Sequence, residues 1–110
     1  MLEASLIKYL GSDALIKCID VYHYKRVVFI ILEMMEQGSL TEIILNYWEH
    51  YSEEFCRYNL YKAALGLQQM HKHNVLHRDI KSDNILYSLE EGVVKITDLG
   101  FACSLSEQHK

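Results

Sequence analysis

The 110-residue chain contains no proline at all, where average usage predicts about five in this length. Composition alone offers no reason for that. Cysteine is scarce and odd in number, with Cys18, Cys56 and Cys103 far apart. No CxxC pair exists, which argues against a zinc site, and the thiols read as reduced rather than as a disulfide framework. An excess of basic charge is lacking too: 11 Lys plus Arg stand against 15 Asp plus Glu, a formal net charge of -4. That leaves no footprint for nucleic acid and no polybasic run for a membrane surface. The longest apolar run, residues 27–32, is far too short to span a bilayer. Met1-Leu2-Glu3 lacks the basic start and apolar core of a signal peptide. Repeats, low-complexity tracts and linkers are absent. The expectation is one cytoplasmic domain, with half its residues hydrophobic and able to form a core.

What the chain does contain has clear periodicity. Leu2, Leu6, Ile7 and Leu10 recur at helical spacing, with Gly11 as a stop. Residues 15–22 and 27–33 read as strands around a turn at 23–26. The β-prone run 27–32 has the look of a strand buried on both faces. Ser39 or Thr41 can cap a short helix reaching about Trp48. A second helix starts after Ser52, with Glu53 and Glu54 in its first turn. Its apolar stripe is Cys56, Leu60, Ala63, Leu67 and Met70, and Ala63, Ala64 and Gly66 predict close packing against a neighbour. His73-Asn74 breaks it. Residues 85–87 and 93–97 form a hairpin. The polar tail after Gly100 is expected to be mobile, and the aromatic cluster Tyr47-Trp48-Glu49-His50-Tyr51 is expected in the core.

The chemistry lies in His77-Arg78-Asp79-Ile80-Lys81-Ser82-Asp83-Asn84, followed fourteen residues after Asn84 by Asp98-Leu99-Gly100. An acid, an amide and a second acid are spaced across a loop, a hairpin and a turn. Phosphoryl transfer from a metal-bound nucleotide needs such a set: one carboxylate to orient the attacking hydroxyl, and an Asn and an Asp to hold Mg²⁺. The string resembles the catalytic loop and metal-binding turn of eukaryotic protein kinases. The wording HRDIKSDNIL with TDLGFA is most similar to the Ste-group serine/threonine kinases.

That resemblance implies a partial protein-kinase-like α+β fold. It would run from the end of helix C through small-lobe strands, hinge, helices D and E and the catalytic hairpin to the start of the activation loop. Residues 1–32 would be small-lobe, 33–38 hinge and 39–110 a truncated large lobe. It implies ATP and Mg²⁺ as cofactors, and as partner a protein with a Ser/Thr acceptor; nothing in the sequence sets an oligomeric state. Asp79 would accept or steer the substrate proton, and Lys81 would stabilise the transferring phosphoryl group. Asn84 and Asp98 would hold Mg²⁺. Leu32 would be the gatekeeper. The backbone of Glu33 and Met35 would read the adenine edge, and Leu86 would pack beneath the ring. Glu3 would be the glutamate of helix C, and Arg78 would read an activation-loop phosphate. His77 would be a packing and hydrogen-bonding residue, not a base. Leu99 departs from the family's usual Phe but would fill the same regulatory packing position, near Ile7.

The resemblance also implies absences. The glycine-rich loop, the Val-Ala-Ile-Lys strand and Ala-Pro-Glu have no counterparts here, and the zero proline count fits this. Little phosphotransfer is expected from the isolated chain, and the apolar stripe of residues 53–72 would lack its usual cover. The alternatives are a non-catalytic, pseudokinase-like nucleotide- or protein-binding fragment and, less favoured because of Lys81 and the Ile-Lys-Ser-Asp-Asn wording, a small-molecule phosphotransferase.

Overall fold

Local capping chemistry starts and stops the helices of the chain. Its computed structural model describes residues 2–11, 13–46, 49, 52–89 and 91–105, without the side chains of residues 2–4. Helix α1, Leu2–Leu10, ends at Gly11, which takes φ +51° and donates its N–H to the Ile7 carbonyl at 3.1 Å. Helix α2 is described over Leu40–Asn46, and its expected end at about Trp48 lies outside the described residues. Ser39 caps it, its Oγ accepting the Glu42 N–H at 3.3 Å. Thr41 instead joins its hydroxyl to that of Ser82 at 2.6 Å. Of the aromatic cluster, Tyr47, Trp48, His50 and Tyr51 lie outside the described residues. Helix α3, Glu53–Lys72, begins as expected: Ser52 Oγ accepts the Phe55 N–H at 3.0 Å.

Among the described residues, three two-stranded antiparallel sheets complete the α+β fold. Strands β1, Cys18–Tyr24, and β2, Val27–Leu32, join through Lys25 and Arg26, both at positive φ (47° and 69°). Two left-handed residues give the hairpin the twist of its strands. Strand β2 is not buried on both faces. Val27, Val28, Phe29 and Ile31 are exposed, and among the described residues the extensive contacts of β2 are with β1 alone. Strand β3, Val75–Leu76, pairs with β6, Cys103–Ser104. The segment after Gly100 is therefore partly structured, since Leu105 also donates to the Asn74 carbonyl at 2.8 Å; residues 106–110 lie outside the described residues. Strands β4, Ile85–Ser88, and β5, Val93–Ile96, form the expected hairpin, pairing Ile85 with Ile96 and Ser88 with Val93.

The stripe of α3 is rotated from its expected position. The buried seam is Asn59, Ala63, Gly66 and Met70, while Leu60 is 57% exposed. The helix turns its narrowest point, Gly66, against β5: a Cβ at Gly66 would lie 2.9 Å from Ile96 Cδ1 and 3.1 Å from Ala14 Cβ. Residues 14–16 cross here too, instead of starting β1. Ile96 N–H donates to the Ala14 carbonyl at 2.8 Å and Ile16 N–H to the Ile96 carbonyl at 3.0 Å. Around this crossing lies the main core, including Leu6, Ile7 and Leu10 of α1, Ile16, Met70, Val75, Ile96 and Leu99. A second cluster, including Leu40, Ile43, Ala63, Tyr87 and Val94, seats α2 on α3 and the hairpin. No described helix is long and apolar enough to cross a membrane.

Candidate functional site

The loop after β3 owes its shape to one buried imidazole. His77 is 2% exposed. Its Nδ1 accepts the Asp79 backbone N–H at 3.1 Å, so its proton sits on Nε2 and points to the Thr97 carbonyl at 2.9 Å. This one ring ties the loop bearing Asp79 to the residue just before Asp98. A buried ring with both nitrogens engaged is a bracing group.

Asn84 makes the second tie. It is buried at the end of a 3₁₀ turn, Ser82–Asn84. Its Nδ2 donates to the Asp79 carbonyl at 2.9 Å and to Asp79 Oδ2 at 3.3 Å, and its own carbonyl accepts the Thr97 N–H at 2.9 Å. Lys81 Nζ stands 3.8 Å from Asp79 Oδ2. Asp79, Lys81 and Asn84 thus meet directly, and Asp98 is carried beside them by the backbone of Thr97. Asp98 holds φ +61°, and Arg78 holds +69°. Non-glycine residues rarely adopt this region, and they do so where the surroundings over-determine the backbone. Asp98 Oδ1 accepts the Gly100 N–H at 3.2 Å.

The donor set suits a hard divalent cation. The amide nitrogen of Asn84 is turned to Asp79, which leaves its Oδ1 with no hydrogen bond among the described residues. Asp98 Oδ2 is likewise without one, and no described cation pairs with Asp98. Oxygen ligands of this kind are what Mg²⁺ selects. No group of three or more His, Cys, Asp or Glu suited to a metal occurs among the described residues, so an all-carboxylate cage is not formed. A cavity of about 220 Å³ lies between α2, α3 and the loop and is lined by Lys81 and Ser82 but by none of Asp79, Asn84 and Asp98.

Leu99 is 2% exposed and belongs to the same core cluster as Ile7. Arg78 is exposed, and its Nε donates to the Phe101 carbonyl at 2.6 Å. Glu3 lies on α1, but its side chain is outside the described residues.

Residues 33–38 link β2 to α2. Leu32 ends β2, half-buried. Glu33 is fastened three ways: its N–H donates to the Lys17 carbonyl at 2.9 Å, its carboxylate accepts the Lys17 N–H at 2.8 Å, and the same Oε1 pairs with Lys95. Burial pushes the Glu33 carboxyl up, but the bonds from Lys95 and from the Lys17 N–H outweigh it and hold the carboxyl below its ordinary range. The Glu33 carbonyl and the Met35 N–H make no backbone bond among the described residues, whereas the Met35 carbonyl accepts the Gly38 N–H at 3.0 Å. Leu86, half-buried on β4, packs against the main core. Further along, Ser88 donates to Glu36 at 2.6 Å, lowering that carboxyl too. Lys95 and Ser88 escaped the sequence reading because nothing local marks their partners, which lie 62 and 52 residues away.

Comparison with known proteins identifies the family. The family model described as "protein kinase domain" matches residues 1–110. The chain is 40% identical over 105 residues to the serine/threonine-protein kinase shk1/pak1 of Schizosaccharomyces pombe, covering 94% of this chain and 15% of that protein. It is 42% identical over 107 residues to MST20 of Pyricularia oryzae and to STE20 of Saccharomyces cerevisiae, both serine/threonine-protein kinases, covering 96% of this chain and 11% of each. The chain thus spans under a sixth of the length of these relatives.

Proposed function

The chain belongs to the protein kinase domain family, and from that premise we propose that it supplies the catalytic loop and metal turn for ATP-dependent phosphoryl transfer to Ser or Thr hydroxyls of a protein. Residues 1–32 form the small-lobe part, 33–38 the hinge and 39–110 the large-lobe part. Asp79 orients the acceptor hydroxyl and takes up its proton. Lys81, held near Asp79, offsets charge on the transferring group. Asn84 Oδ1 and the Asp98 carboxylate hold Mg²⁺, which when bound neutralises phosphate oxygens. The Glu33 carbonyl and Met35 N–H read the adenine edge, Leu86 forms the floor beneath it, and Leu32 guards the rear. Arg78 and Leu99 are regulatory, the first toward a phosphate on the following segment and the second by packing under α1, where Glu3 also lies. The location is cytoplasmic.

One observation carries this reading: the Asn84 side chain is bonded to Asp79 while its backbone is bonded to Thr97. That arrangement leaves Asn84 Oδ1 and Asp98 Oδ2 without a hydrogen bond among the described residues, as ligands for Mg²⁺ would be. The test is calorimetric titration of the chain with ATP, with and without Mg²⁺, followed by phosphotransfer to protein in a longer protein carrying the chain. Mg²⁺ is expected to strengthen ATP binding, and Asn84→Ala and Asp98→Asn to remove that gain. Asp79→Asn is expected to spare binding and abolish transfer. ATP binding indifferent to Mg²⁺ and to both substitutions overturns the reading. Mg²⁺-dependent binding with no transfer in the longer protein favours the non-catalytic alternative.

A further inference from the structure

We propose that Lys95 is a positioning residue that sets the base-reading edge of the site, a role that rests on the nucleotide-binding reading above. It joins two of the parts assigned to the base, Glu33 and Leu86. Its ammonium pairs with the Glu33 carboxylate, with both side chains largely withdrawn from water, 14% and 23% exposed. On β5 it stands directly opposite Leu86, the proposed floor. Paired residues of neighbouring strands project to the same face of a sheet, so Lys95 rises beside Leu86 toward residue 33. Asp98 follows three residues on, just past the end of β5, carried by the Thr97 backbone that His77 and Asn84 hold.

The bonding around Glu33 explains why this contact orients as well as braces. The Glu33 N–H is used by the Lys17 carbonyl, and its carboxylate takes both the Lys17 N–H and Lys95. The donor and side chain of residue 33 are thereby fixed on the β1 and β5 sides, and its carbonyl is left as the group able to meet a ligand. Met34 is 82% exposed and Met35 is 8% exposed, so the side chains of the link alternate sharply between water and the core. Without Lys95 the carboxylate keeps one bond, to the Lys17 N–H, and the peptide after Glu33 gains freedom to turn. A half-buried carboxylate that has lost its cation also seeks water. Both effects misdirect the base-reading carbonyl and leave the phosphate end, built on Asn84 and Asp98, in place.

The experiment compares dissociation constants of Mg²⁺-ATP and Mg²⁺-tripolyphosphate, a probe with no base, for the unsubstituted chain, Lys95→Met, Lys95→Arg and Glu33→Gln. The preference for ATP over tripolyphosphate is expected to fall about tenfold in Lys95→Met, the size of one misplaced hydrogen bond. Tripolyphosphate binding stays within about twofold, and Lys95→Arg recovers most of the preference. Glu33→Gln keeps an acceptor for the Lys17 N–H and removes only the ionic partner. It is expected to behave as Lys95→Met does, and it decides the matter if Lys95→Met does not fold. An unchanged preference in Glu33→Gln, or a parallel loss of both ligands, overturns the positioning role and leaves the site reading standing. An unsubstituted chain that binds neither ligand, or shows no preference for ATP, overturns the nucleotide reading and this role with it.

Discussion

Gly66 is the place where one methyl group tests the packing of the whole catalytic half. In an isolated helix, Gly→Ala gains about 1 kcal/mol. Here the new Cβ would sit 2.9 Å from Ile96 Cδ1, 3.1 Å from Ala14 Cβ and 3.5 Å from the Ala14 carbonyl oxygen. Neither neighbour is free to yield. Ile96 is 1% exposed, and Ala14 accepts the Ile96 N–H at 2.8 Å. Overfilling a core of this kind costs about 1–3 kcal/mol. Subtracting the helix gain leaves Gly66→Ala destabilised by up to about 2 kcal/mol, and Gly66→Val by more, since a β-branched residue adds bulk and brings less helix propensity. The assay is urea unfolding followed by far-ultraviolet circular dichroism, read as a fall in midpoint at unchanged slope. A loss of about 1 kcal/mol corresponds to a melting temperature lower by roughly 4 °C or more for a chain of this size. Gly66→Ala that raises the midpoint by the full helix increment would refute the reasoning, because α3 could not then press on β5 as described.

Two further outcomes follow from bonds already described. Ser52→Ala removes the cap on Phe55 and is expected to cost about 1 kcal/mol in urea unfolding; no change would mean that the first turn of α3 frays in the native state. Glu33 is held below its ordinary range by Lys95 and the Lys17 N–H. Its contribution is therefore complete above the unfolded glutamate value, about 4.3, and is lost as the pH falls below it. The unsubstituted chain is expected to lose more stability than Glu33→Gln between pH 6 and pH 3, both measured by urea midpoint; parallel acid limbs would refute the assigned shift.

Sequence alone was enough to determine what depends on near neighbours along the chain. Ser52 caps α3 because its oxygen reaches an amide three residues on. The hairpin of β4 and β5 follows from two short β-prone runs around a turn, and the order Asp79, Asn84, Asp98 is legible because the string resembles the catalytic loop and metal turn of protein kinases. Tertiary structure decided the rest, because burial and ion pairing belong to whatever arrives from elsewhere. Leu60 fits an apolar stripe yet lies in water, and Asn59 does not fit it yet is 1% exposed, since the helix rotates to bring Gly66 against Ile96. Strand β2 looks doubly buried but has one strand partner among the described residues, and β6 forms only because Val75 and Leu76 present an edge to it. Lys95 would pass for an ordinary strand lysine until Glu33, 62 residues away, is folded against it.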